Sequence, residues 1–272
     1  MKSLSPSLRR AAGLLLAAVW LVGPVQAQPT PLPRAHAHND YEHPRPLLDA
    51  LDHGFGSIEA DIHLVDGELL VAHDRDDVQP GRTLETLYLD PLRRRIRQNG
   101  GQVYPDGPPV ILLIDIKSEA VATYAVLHQV LRRYADMLTI FSGETMDEGP
   151  VTAIISGNRP RATMTAQPIR YAAYDGRLED LELYAPTTFI PLISDNWFTF
   201  ARWLGQGEPP EKVVKRLQEA VDKAHAQSRK IRFWATSDNP AVWRVLYDAG
   251  VDLLNADDLD GLRDFLLEME KK

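Results

Sequence analysis

Ser57-Ile58-Glu59-Ala60-Asp61-Ile62-His63 and Val110-Ile111-Leu112-Leu113-Ile114-Asp115-Ile116-Lys117 are two apolar runs that carry carboxylates. Glu59 and Asp61 are two residues apart, so on an extended strand their side chains share one face. Two carboxylates placed that way can share one hard cation. Asp115 sits inside Ile-Leu-Leu-Ile-Asp-Ile, where a charge is costly unless a partner or a metal compensates it. Two more apolar runs end on imidazoles, at Ala37-His38-Asn39 and at Leu69-Leu70-Val71-Ala72-His73. Two imidazoles, three carboxylates and the ammonium of Lys117 at successive strand ends read as a divalent-metal and acid/base site. The plainer alternatives are an Asp115–Lys117 ion pair, Glu59 and Asp61 paired with arginines, and His73 as a strand-end cap.

The rest of the chain alternates short apolar runs with amphipathic ones. Strands are expected at 34–37, 57–63, 69–72, 110–116, 151–156, 161–165, 189–193, 231–235 and 253–255. Helices are expected at 46–53, 83–98, 119–134, 210–227, 241–249 and 259–269. Val65-Asp66-Gly67 reads as a tight turn that folds the third strand back on the second. Alternation of this kind predicts a parallel sheet, and a strand count near eight favours a single closed (β/α)8 TIM barrel, in which strand C-terminal ends line the active site.

Composition sets the setting. Lys2, Arg9 and Arg10, the apolar run Ala11 to Val22, and Val25-Gln26-Ala27 have the form of a secretory signal peptide over residues 1–27. Residues 28–33 are a proline-rich lead-in, and residues 34–272 form one barrel domain. A periplasmic or secreted location is expected, an uncleaved anchor being the alternative. The chain has no cysteine, which excludes disulfides, thiolate chemistry and a lipid attachment site at the cleavage point. Its formal net charge is −8, and loss of the three cations of residues 1–27 takes the mature chain to about −11. Such an acid chain is a poor non-specific partner for nucleic acid or an anionic membrane, and no protein partner is implied.

In order along the chain, His38-Asn39, Glu59-Ala60-Asp61, Asp66-Gly67, His73-Asp74, Asp115-Ile116-Lys117, Trp234-Ala235-Thr236 and Gly250-Val251-Asp252 resemble the glycerophosphodiester phosphodiesterase and phosphatidylinositol-phospholipase-C-like superfamily. The resemblance implies a (β/α)8 barrel that hydrolyses a small-molecule or lipid phosphodiester. It implies one divalent cation, Mg²⁺ or Ca²⁺, on Glu59, Asp61 and Asp115, with His38 and His73 exchanging protons with the substrate. Oxygen-only ligands suit a hard cation and argue against zinc. Lys117, Asn39, Trp234 and Asn255 are the implied substrate- and phosphate-binding residues, with helix capping the alternative for Asn255.

The chain also departs from the family. The family's His-Arg-Gly is here His38-Asn39-Asp40, Pro-Glu-Asn-Thr is Tyr41-Glu42-His43-Pro44, and the third-strand acid is Asp rather than Glu. These changes put the headgroup in doubt and leave the reaction class. His36-x-His38 places two imidazoles on one strand face, so His36 is an alternative catalytic residue, and the pair also opens amidohydrolase-type metal barrels. Those draw on later histidines, whereas His128 and His225 fall in expected helices. Trp197, Phe198, Phe200 and Trp203 form either a lid that greets an acyl chain, with transient membrane-surface contact, or an apolar loop folded onto the barrel. A non-catalytic barrel that binds a phosphorylated ligand is the alternative from another class.

Overall fold

The computed structural model describes residues 28–271; the signal-peptide reading of residues 1–27 lies outside them. Eight parallel strands form the barrel wall. They are β1 (Leu32–Ala37), β2 (Phe55–Val65), β4 (Val110–Ile116), β7 (Val151–Gly157), β9 (Ala173–Gly176), β10 (Leu192–Asn196), β11 (Lys230–Trp234) and β12 (Leu254–Ala256). Their lateral order is β11-β10-β9-β7-β4-β2-β1-β12. A parallel bridge between Arg232 and Leu253 joins the two ends and closes the ring. The short β3 (Glu68–Val71) runs back antiparallel along β2. Its turn, Asp66-Gly67, has positive φ at both residues (49° and 87°), the handedness that matches strand twist in two-residue hairpins.

Helices α1 (Leu48–Asp52), α2 (Asp90–Gln98), α3 (Ala120–Arg132), α4 (Arg161–Ala166), α5 (Trp197–Phe200), α6 (Glu211–Ala226), α7 (Pro240–Asp248) and α8 (Leu259–Met269) fill the crossovers. Side-chain caps fix several starts: Glu119 accepts from two amides of α3, Asn239 from Ala241, and Asp258 from Gly261. A second, three-stranded sheet, β6 (Thr145–Asp147), β5 (Ile140–Ser142) and β8 (Ile169–Arg170), was not expected from the sequence.

Three expectations shift. Residues 161–165 are helical, not a strand, as their alanine, methionine and arginine favour. The fifth wall strand is instead Ala173-Tyr174-Asp175-Gly176, too short and too rich in poor strand formers to stand out. The expected helix 83–98 opens as a wide π turn over Glu85–Leu89 before α2, because Pro91 offers no N–H and its ring crowds the carbonyl of residue 87. The strand expected at 189–193 starts at Leu192, just after Pro191, which cannot donate to the ladder.

Alternation along each strand divides inside from outside. Val110, Leu112, Ile114 and Ile116 pack with Ile58, Ala60, Ile62, Ala35 and Ala37 in the core beneath the helices. Ile111 and Leu113 pack instead with Ile154, Ala173, Leu192 and Leu253, residues of other wall strands, and so fill the lumen. By the period of two, Asp115, Ser156, Asp175, Ser194 and Asn255 are also luminal, one step nearer the strand C-termini. The same parity places His36, Glu59, Asp61 and Arg232 inside. The lumen is thus apolar at its N-terminal end and polar at its C-terminal end.

The apolar plug sets the depth of the polar layer. Leu113 is fully buried two residues before Asp115, and Leu113→Ala is expected to cost about 2–5 kcal/mol. A urea titration that shows an unchanged midpoint would contradict this reading of the lumen.

Candidate active site

Glu59, Asp61 and Asp115 each bring a carboxylate oxygen within 4.8 Å of the others, and no other such group of three or more exists among the described residues. Strand register does this: Asp61 pairs directly with Asp115 across β2 and β4. Glu59 lies one luminal step deeper on β2. Glu59 is 5% exposed and Asp61 is fully buried.

Two cations, the buried Arg232 and the half-buried Lys117, partly answer these charges. Arg232 reaches across the lumen from β11, its Nη2 donating to Glu59 Oε2 at 2.9 Å and to Asn255 Oδ1 at 2.8 Å. Lys117 places Nζ 3.1 Å from Asp61 Oδ2 and 3.4 Å from Asp115 Oδ1. Burial would raise the Glu59 carboxyl, but the charge of Arg232 and the hydrogen bond from His36 hold it well below the ordinary range. Asp61 and Asp115 go the other way. Burial and then the neighbouring Glu59 charge raise Asp61; burial and the charge of Asp61 push Asp115 up to about 7. Three carboxylates face only two cations, and Asp61 Oδ1 is buried with no hydrogen-bond partner. That donor set fits a hard divalent cation.

The histidines flank the carboxylates. His73, past the end of β3, has Nδ1 3.1 Å from Asp61 Oδ2 and 3.1 Å from Tyr41 Oη. His38, just past β1, has Nδ1 2.8 Å from Asp257 Oδ1. A carboxylate can only accept, so each Nδ1 carries the proton and each Nε2 is left for other work. Burial disfavours the His38 imidazolium, but the hydrogen bond to Asp257 and the charge of Glu59 outweigh it and raise its pKa. His36 is different. It is fully buried, with Nδ1 2.7 Å from Ser57 Oγ and Nε2 3.1 Å from Glu59 Oε2. Burial, helped by Arg232, pushes it down to about 3, so it stays neutral.

The other expected residues are placed as follows. Asn39 has a left-handed backbone (φ 47°) and its Oδ1 lies 2.7 Å from Tyr41 Oη, so it braces the phenol. Trp234 ends β11 on the luminal side, half-buried. Asn255 neither caps α8, which Asp258 does, nor holds its oxygen free, since Oδ1 receives two bonds from Arg232. His128 and His225 lie on α3 and α6, so no later histidine joins the site. The aromatic stretch is not a lid: Trp197 is fully buried, Phe200 and Trp203 are 7% exposed, and only Phe198 faces solvent. Trp197 stacks on Phe200 and meets Phe233 edge-on, which ties α5 to the barrel wall.

Tyr41, Arg232, Asp257 and His63 were missed as contributors. His63 is buried and its Nε2 lies 3.1 Å from the carbonyl of His73, fixing the loop that carries that imidazole. Arg232 had one readable signal, a charge within the apolar strand Ile231-Arg232-Phe233. A hollow of about 550 Å³ lies at the opposite end of the barrel, lined by Pro33, Pro108, Pro109 and Pro191 among others and by none of the site residues.

Gly157 ends β7 beside Asp115. It has φ +67°, and a Cβ there would sit 2.1 Å from Asp115 Oδ1 and 2.5 Å from the carbonyl of Ile116. Gly157→Ala is therefore expected to displace Asp115 and weaken divalent-cation binding at least tenfold. Gly67→Ala, at φ +87° with nothing within 4 Å, carries only the backbone strain of about 1–2 kcal/mol. Titration calorimetry on both variants separates the two effects; equal cation affinity would count against the placement of Asp115.

The comparisons agree with this architecture. Residues 25–175 match the model of the AIM6-like phosphodiesterase domain, and residues 230–260 match the glycerophosphoryl diester phosphodiesterase family. Altered inheritance of mitochondria protein 6 of Eremothecium gossypii is 30% identical over 86% of this chain and 69% of its own length. A homolog of that protein from Arthroderma benhamiae is 29% identical over 89% of this chain and 88% of its own length. The crystal structure of a glycerophosphodiester phosphodiesterase from Parabacteroides distasonis superposes with a TM-score of 0.54 at 16% identity, covering 87% of this chain and 98% of that one. That likeness is one of fold, a TIM barrel. With its first half and more inside the family model and its strand ends bearing the motif residues, the chain belongs to the AIM6-like phosphodiesterase family, within the glycerophosphodiester phosphodiesterase and phosphatidylinositol-phospholipase-C-like superfamily.

Proposed function

We propose that the chain is an exported, metal-dependent phosphodiesterase that hydrolyses a glycerophosphodiester or a phospholipid headgroup. The observation that carries this reading is the carboxylate triad within 4.8 Å, flanked by two imidazoles whose Nδ1 atoms are each held by a carboxylate. Glu59, Asp61 and Asp115 would hold one divalent cation, Mg²⁺ or Ca²⁺, which would supply charge neutralisation at the phosphate. His38 and His73 present Nε2 to the substrate: one takes the proton of the attacking water or hydroxyl, and the other gives one to the leaving alkoxide. Lys117 adds a fixed positive charge beside the phosphate. Asp257 and Asp61 orient the two imidazoles, and Trp234 at the rim meets the organic part of the substrate. The names of the superfamily's solved barrels support the reaction class, and the sequence of residues 1–27 supports export to the periplasm or medium.

The test is release of glycerol 3-phosphate and free headgroup from a panel of glycerophosphodiesters and lysophospholipids, each with Mg²⁺, with Ca²⁺ and with EDTA. Turnover is expected with a cation and not with EDTA. His38→Ala and His73→Ala are each expected to lower kcat by about 10²–10⁴-fold. A chain that binds phosphorylated ligands tightly and turns over none of them would be a non-catalytic barrel.

A further inference from the structure

We infer that His36 and Arg232 fix Glu59 as a one-oxygen ligand and so make the carboxylate site select magnesium over calcium. The inference rests on the metal-site reading above and goes beyond it by assigning the ion and the residues that choose it.

A carboxylate oxygen has two lone pairs to offer. On Glu59 Oε2 both are taken: His36 Nε2 lies at 3.1 Å and Arg232 Nη2 at 2.9 Å. Both donors are themselves held from behind. Ser57 Oγ sits 2.7 Å from His36 Nδ1, and Asn255 Oδ1 accepts from Nε and Nη2 of Arg232 at 3.0 and 2.8 Å. His36 is fully buried and Arg232 is 2% exposed, so neither swings aside to free the oxygen. Only Oε1 of Glu59 remains.

Asp61 is restrained in the same sense. Asp61 Oδ2 is met by Tyr41 Oη at 2.7 Å, His73 Nδ1 at 3.1 Å and Lys117 Nζ at 3.1 Å, which leaves the buried, unpartnered Oδ1. Asp115 is less restrained, its Oδ1 buried without a hydrogen-bond partner and 3.4 Å from Lys117 Nζ. Glu59 and Asp61 thus each have one oxygen held by protein donors. Calcium takes about 6–8 oxygens in a flexible shell that readily accepts both oxygens of a carboxylate; magnesium takes about six in a near-ideal octahedron, uses one or two carboxylates and keeps several waters. Two acids limited to one oxygen each match the second demand. The guanidinium of Arg232 is a positioning group here, acting on the cation through Glu59.

Titration calorimetry of the EDTA-stripped full chain with MgCl₂ and with CaCl₂ tests this without reference to turnover. The wild type is expected to bind Mg²⁺ at least tenfold more tightly than Ca²⁺. Arg232→Met and His36→Leu each open a lone pair on Oε2, and each is expected to move the Mg²⁺/Ca²⁺ affinity ratio about tenfold toward calcium. Circular dichroism qualifies the variants as folded; if neither folds, the wild-type ratio decides alone. Preference of the wild type for Ca²⁺, or a ratio that both folded variants leave unchanged, overturns the inference while the metal site stands. Binding of neither cation overturns the metal site itself, and the inference with it.

Discussion

Three carboxylates crowded into a barrel lumen repel one another, and much of the surrounding structure answers that repulsion. Taking one ionised carboxylate out of water costs several kcal/mol, and unanswered neighbours add to that. The chain supplies two cations from opposite sides, Arg232 from β11 beneath Glu59 and Lys117 from the end of β4 beside Asp61 and Asp115. It then supplies further hydrogen-bond donors, Tyr41, His36 and His73. Burial and the charge of Asp61 and Glu59 still lift Asp115 to about 7. The protein alone does not balance the site, and a divalent cation is the group that would.

The apolar floor makes that imbalance matter. Ile111, Leu113, Ile154, Ala173, Leu192 and Leu253 fill the lumen below the polar layer, so water cannot reach the acids from beneath and Coulomb terms act at low dielectric. Arg232 reaches across the lumen from β11 to Glu59 on β2. Its two hydrogen bonds to Asn255 show why a guanidinium serves there: its rigid planar fork grips an amide and a carboxylate in one fixed geometry.

Legibility in the sequence followed length and periodicity. Val110–Ile116 was readable to the residue because seven residues of apolar strand leave little else to be. Glu59, Asp61 and Asp115 were readable because buried acids in such runs are expensive. By contrast, Ala173–Gly176 is four residues with an aspartate and a glycine, and only barrel closure makes it a strand. Residues 161–165 tipped to helix although two of them, Thr163 and Thr165, are β-branched, because alanine, methionine and arginine favour the helix. Tyr41 was hidden for another reason: its role depends on the left-handed turn at Asn39 that points it back over Asp61, and a turn of that kind has no periodic signature. Asn255 was read as a candidate phosphate donor from its place at a strand end, without sight of the arginine on the neighbouring strand β11 that claims its oxygen.

The two imidazoles are wired differently, and the difference constrains how they can act. His73 leans on Asp61, which is also a candidate cation ligand, and its backbone is pinned by His63. Its orientation is therefore tied to the same carboxylate that would hold the metal. His38 leans on Asp257, a 62% exposed side chain in the turn after β12, and is tied to the acids only through the field of Glu59. Asp257 and its neighbour Asp258 are in turn held by backbone bonds to Asp238, at the start of α7. One proton-carrying group thus follows the cation site, and the other follows the loops that close the ring. A substrate bridging the two would have to satisfy both halves of the barrel at once, and that requirement turns a sheet closed by one bridge into a single working site.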